Sequence, residues 1–149
     1  MTLPERSHQT PSPLSASASA RMIHAALLFG IVLFWGIAWY TGDTIAIPVA
    51  ALPDRKVLYI SLFLVSATLF GAAAFTAGRL PTRPLALTAD EWWRRNLGRA
   101  VVVWTLVETP AILGTIAYLL TKDFRSLLAP FIGLLLFVNY RPSRFLIER

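Results

Sequence analysis

The chain has 149 residues, 56% of them hydrophobic and 15% charged, with a net charge of +6 and no cysteine. A soluble domain carries about 45–50% apolar and about 25% charged residues, so this composition and the mean hydropathy of +0.59 indicate a one-domain membrane protein with little extramembrane mass. The composition excludes disulfides, thiol nucleophiles and cysteine metal sites, and the basic residues crowd the ends of apolar runs, as expected for anionic lipid headgroups at the cytoplasmic face rather than for nucleic acid.

Residues 1–20 contain Pro4, Pro11 and Pro13 among small polar residues, which reads as a disordered cytoplasmic tail. The Ser15-Ala16-Ser17-Ala18-Ser19-Ala20 stretch precedes the first apolar run, whereas a signal cleavage site follows one. A spanning helix needs about 20 mostly apolar residues, and residues 22–40 supply the first. Trp35, Trp39 and Tyr40 near its end suit an interfacial belt. Residues 42–56 form an outer loop around Pro48 and Pro53.

Residues 57–77 supply the second span. Ala67, Gly71, Ala74 and Gly78 fall at helical spacing on one face, and small faces let helices approach closely in lipid. Packing within the chain and contact with a second copy both fit that stripe. A cytoplasmic linker and helix extension cover residues 79–96. Thr88-Ala89-Asp90-Glu91 has capping-box form, and Asp90/Arg94 and Glu91/Arg95 are i,i+4 pairs of favourable order. Trp92, Trp93, Arg94, Arg95 and Arg99 are expected as anchors at headgroup level. A helix over residues 89–120 would be about 48 Å long, with residues 97–120 in the bilayer. A tight turn at 121–123 leads to the fourth span, residues 124–140, with Asp123 as N-cap, Pro130 inside and Tyr140 at its end. Residues 142–149 form a C-terminal tail.

Ten of the fourteen Lys and Arg residues lie before the first span, between the second and third, or after the fourth; Arg55, Lys56, Lys122 and Arg125 lie on the other side. The positive-inside rule therefore places both termini and the central linker in the cytoplasm. The expected fold is all-α: a multi-pass protein of the bacterial inner membrane, its four transmembrane helices arranged as two hairpins.

Glu108 is the only acidic residue within a span, and it falls at the middle of the third. A charge there is costly, and such groups mark functional sites by default. Thr105 at −3 and Thr115 at +7 give its helix one modestly polar stripe. Pro110 releases the carbonyl of Leu106 from its helical hydrogen bond. Either Glu108 is polar glue bonded to Thr105 or a carbonyl, or it carries protons or cations. His24 and Asn139 lie near the inner ends of their spans, where an interfacial polar residue and a cap or interhelical hydrogen bond are expected. There is no phosphate loop, Ser-His-Asp set or carboxylate pair, so no enzyme, metal or cofactor is expected.

The stretch Glu108-Thr109-Pro110-Ala111-Ile112-Leu113-Gly114 resembles the carboxylate helix of ATPase proteolipids, the c-subunit family, and that resemblance implies a proton-carrying Glu108. The chain departs from that family in lacking a dense glycine repeat in the preceding span and in having a fourth span. Its layout is similar to that of small bacterial four-helix membrane proteins of unknown function. The expected role is an accessory or structural subunit of a membrane complex, with protein partners or further copies of itself; the alternative is a component of a proton- or cation-coupled transporter or channel that uses Glu108.

Overall fold

The computed structural model describes residues 15–41 and 54–146, and every regular element among them is helical. Helix α1 covers Ala16–Thr41, α2 Arg55–Gly78, α3 Ala89–Thr121 and α4 Leu128–Asn139. Single 3-10 turns at Phe124–Leu127 and Pro142–Leu146 flank α4. The first three helices are long and apolar enough to cross a membrane. The expectations for residues 1–14, 42–53 and 147–149 lie outside the described residues.

Helix α3 is the hub, against which α1, α2 and α4 all pack, while α1 touches α4 only lightly. Contacts fix the directions. Ser17 meets Asp90, His24 meets Trp104 and Trp39 meets Tyr118, so α1 runs parallel to α3. Tyr59 at the start of α2 reaches Asp123 just past the end of α3, and Tyr140 past the end of α4 reaches Trp104; α2 and α4 run the other way. The core holds Ile31, Ala73, Trp92, Trp93, Trp104, Val107, Ala111 and Phe137. Large apolar side chains such as Phe29, Phe63, Phe75 and Phe131 point outward, an arrangement that is stable where the surrounding solvent is lipid.

Local chemistry sets the helix ends. The capping box of α3 forms as expected: Thr88 Oγ1 accepts from the Glu91 amide at 3.2 Å, and Glu91 Oε2 accepts from the Thr88 amide at 3.0 Å. Asp90 pairs with Arg94 at 2.9 Å. Glu91 turns back to Thr88 instead of closing on Arg95.

Two expected tails are partly folded. Helix α1 begins at Ala16, six residues before the expected span, with the Ser17 amide donating to Asp90 Oδ1 at 3.2 Å. A carboxylate at a helix N-terminus answers orphan amides and the helix dipole, and Ala20 is small enough to be fully buried. At the other end, residues 142–146 turn back so that Phe145 packs on Trp93 and Trp104.

The fourth segment also differs from the uniform helix expected over residues 124–140. Pro130 clashes with an α-helical carbonyl four residues earlier, which is that of Ser126. The chain therefore makes a 3-10 turn first, capped by Asp123 Oδ1 accepting from the Arg125 amide at 2.9 Å. Pro130 then falls in the first turn of α4, where its missing N–H breaks no helical bond.

Candidate functional site at Glu108

Glu108 stands at the rim of the outward face of α3, half-buried, where α3 meets α1. Its Oε1 faces Gly30 of α1: a Cβ added there would lie 3.8 Å from it. The carboxyl makes no hydrogen bond or ion pair with the described residues. Thr105 is exposed on the same rim and Thr109 is half-buried beside it. The Thr109 hydroxyl donates to the Thr105 carbonyl at 2.9 Å, a bond that turns it back on its own helix.

The expected polar stripe therefore divides. Glu108 and Thr105 share an outward rim, whereas Thr115 is buried and donates to the Ala111 carbonyl at 2.9 Å. Pro110 is buried and does not end the helix. Among the described residues neither Thr105 nor a carbonyl serves Glu108 as an internal partner. The apolar helix thus offers a carboxyl, a hydroxyl at Thr105 and a glycine-lined recess sideways, to whatever lies beside α1 and α3.

The stripe Ala67, Gly71, Ala74 and Gly78 is not buried among the described residues: Ala67 borders a groove shared with the fourth segment, and Ala74 and Gly78 border one shared with the C-terminal turn. All four residues are exposed, and a Cβ at Gly71 or Gly78 would meet nothing within 4 Å. The face of α2 that meets the bundle carries Ser66 and Ala73 instead. Close approach occurs between α3 and α4. A Cβ on Gly114 would lie 2.6 Å from Pro130 Cδ and 2.7 Å from the Ser126 carbonyl oxygen, and one on Gly133 would lie 2.9 Å from Ala111 Cβ. The signal for this contact was one glycine on each helix, Gly114 on α3 and Gly133 on the short proline-bearing α4.

The aromatic anchors separate into two groups. Trp39 and Tyr40 are exposed, as a belt requires, and Trp39 stacks on Tyr118 at 6.2 Å. Trp35 is half-buried, with its Nε1 unpartnered. Trp92 and Trp93 are each only 1% exposed, so they are core residues rather than headgroup anchors. The linker supplies the reason: the Pro81 carbonyl accepts from Trp92 Nε1 at 3.2 Å, and the two indoles meet edge to face at 4.9 Å. Arg94, Arg95 and Arg99 are exposed as expected.

His24 is buried rather than interfacial. Its Nε2 lies 3.1 Å from the Phe137 carbonyl, which can only accept, so that nitrogen carries the proton. Trp104 Nε1 donates to the Tyr140 carbonyl at 2.8 Å. These two rings satisfy carbonyls that the end of α4 leaves without helical partners. Asn139 accepts from Arg144, a contact within the C-terminal turn.

No known family, curated protein or solved structure matches this chain, so the site is read from its own chemistry. Among the described residues no group of acidic or histidine side chains could hold a metal ion.

Proposed function

We propose that the protein is a non-enzymatic accessory subunit of a bacterial inner-membrane complex, and that Glu108 is the hydrogen-bonding point at which a partner helix docks beside α1 and α3. One observation carries this reading: a carboxyl at the middle of an apolar helix has no hydrogen-bond or ion-pair partner among the described residues. A polar group left alone in hydrocarbon is costly, and an interhelical hydrogen bond removes that cost. The exposed small face of α2 offers a further surface, where another subunit or a second copy could approach closely.

In this reading α1 to α4 cross the bilayer as two successive hairpins with both termini in the cytoplasm, following the bias of basic residues. The alternating helix directions support it. The decisive experiment is purification in mild detergent, followed by identification of what copurifies. A reproducible partner set is expected from the native chain and from Glu108→Gln, which keeps hydrogen-bonding capacity. Glu108→Leu should recover several-fold less of that set. Undiminished capture by Glu108→Leu would sink the docking role.

The second reading is a proton- or cation-carrying Glu108 within a transporter or channel, favoured by the carboxyl's place on an open rim rather than inside the bundle. It predicts the opposite result for glutamine. Glu108→Gln would assemble normally yet abolish flux, and carbodiimide would modify the native carboxyl in a pH-dependent way.

A further inference from the structure

A groove of about 420 Å³ opens between α2 and the fourth segment, away from the rim that carries Glu108. It exists because both elements pack on α3 and have little direct contact with each other. Tyr59, Ser66 and Phe70 line it from α2; Arg125, Ser126 and Ile132 line it from the other wall. Most of its surface is apolar, with two exceptions that the fold does not use. Ser66 Oγ and Ser126 Oγ are both buried without a hydrogen-bond partner, in residues only 7% and 1% exposed. Buried hydroxyls are normally paired, because leaving them unpaired forfeits their hydration with nothing in return.

The groove has a charged end. Arg125 stands at the level of Asp123, and Arg55 at the start of α2 lies near enough to act on the same carboxylate. Asp123 is occupied: it accepts from the Arg125 amide and from the Tyr59 hydroxyl, at 2.9 and 2.8 Å. With Lys56 and Lys122, the basic residues at this end outnumber the acidic ones among the described residues, Asp54 and Asp123. From Tyr59 to Phe70 the groove follows α2 for about 16 Å at 1.5 Å per residue. That is close to half of a hydrocarbon core of about 30 Å, the depth of one leaflet.

We infer that this groove holds one diacyl phospholipid with an anionic headgroup. Its phosphate meets the Arg125 guanidinium, a charge-assisted contact of the stronger kind. Its ester carbonyls accept from the Ser66 and Ser126 hydroxyls. One acyl chain then runs along Phe70 and Ile132, covering the wall between α2 and α4. An acyl chain alone would explain an apolar groove; the basic mouth and two donors below it select a headgroup and an ester. The inference uses none of the residues assigned to docking at Glu108, although Ala67 of the small α2 face also lines this groove.

The test uses the full chain in mild non-ionic detergent, titrated with phosphatidylglycerol, phosphatidylcholine and a diether analogue of phosphatidylglycerol, and read by native mass spectrometry. One adduct per chain is expected, with phosphatidylglycerol retained about tenfold better than phosphatidylcholine. Arg125→Gln should erase that headgroup preference while leaving helical content unchanged. The native chain should also favour the diester over the diether, and the Ser66→Ala, Ser126→Ala pair should bind both alike. If the headgroup preference is absent, or survives Arg125→Gln, the inference is wrong. A dimer that forms without retained lipid would give the groove to a second copy and overturn it too.

Discussion

Glu108 shows what a single residue reveals and conceals in one dimension. Its place along the helix was readable, because counting along an apolar run measures rise at 1.5 Å per residue. Its direction was not: Thr105 and Thr115 share a helical stripe with it in sequence, but the boundary between the rim and the interior of α3 is drawn by α1 and α4. Gly30, which makes room for the carboxyl, sits in an unremarked stretch of α1. The resulting site gives a graded prediction. Glu108→Gln and Glu108→Leu should leave the isolated chain equally stable in detergent, since the carboxyl makes no hydrogen bond or ion pair with the described residues. Complex formation should separate them, with leucine weakening association by about 1 kcal/mol, roughly fivefold. The measurement is thermal stability of each variant beside its yield of copurified partner. Destabilisation of the isolated chain by both substitutions would show that Glu108 acts inside the bundle. His24 teaches the converse lesson, since a lone histidine near a span end looks interfacial until α4 ends with a free carbonyl against it.

At the scale of elements, features set by near neighbours in sequence were legible and those set by distant segments were not. The α3 capping box needs only four consecutive residues and formed as expected. Trp92 and Trp93 required the linker to fold back and the C-terminal turn to cover them, which their own sequence does not encode. The small-residue stripe of α2 looked like a packing face because density of glycine and alanine is the usual signal, yet Gly114 on α3 and Gly133 on α4 carry the tight contact. Gly114→Val should therefore destabilise the protein by about 3 kcal/mol or more, the upper range for overpacking, since Pro130 and the Ser126 carbonyl cannot both retreat. Gly71→Leu should change the stability of the isolated chain little, and differential scanning fluorimetry of the two variants in one detergent checks the contrast. A second prediction concerns the start of α1. The Ser17 amide, and then Arg94, hold the Asp90 carboxyl below its ordinary range. A depressed carboxylate contributes stability that is present above its unfolded pKa and lost as the pH falls through the folded one. The first turn of α1 should thus keep its protection at neutral pH and loosen only below the usual aspartate range, with faster amide exchange there. Asp90→Asn should show the loosened exchange already at neutral pH.

For the whole molecule, composition and hydropathy were enough to establish an all-helical chain with spans of membrane length, because burial in lipid demands apolar runs and internal backbone pairing whatever the tertiary contacts. They could not reveal that the bundle is organised around α3, since nothing in a hydropathy profile distinguishes a helix surrounded by helices from one facing lipid. They gave the short fourth segment at residues 124–140 but not its 3-10 start. Four residues of 3-10 helix and twelve of α-helix rise about 26 Å at about 2.0 and 1.5 Å per residue, somewhat less than a core of about 30 Å. Local thinning of the bilayer, together with Arg125 and Arg141 reaching outward at its two ends, is the expected accommodation. The crossing by α4 is therefore the least redundant part of the proposed topology, and the absence of cysteine makes it directly testable. Single substitutions at the exposed positions Lys56→Cys, Leu85→Cys and Ser143→Cys place one thiol at each relevant connection. Ser143 lies in the turn that packs against Trp93 and Trp104, at the same end of the bundle as the linker over Trp92. An impermeant maleimide should label Lys56→Cys in intact cells, and Leu85→Cys and Ser143→Cys only after permeabilisation. Labelling of Ser143→Cys in intact cells, with Leu85→Cys still protected, would mean that the fourth segment does not cross and that the last hairpin is wrong. Labelling of Leu85→Cys would reverse the whole orientation, against the bias of ten basic residues to four.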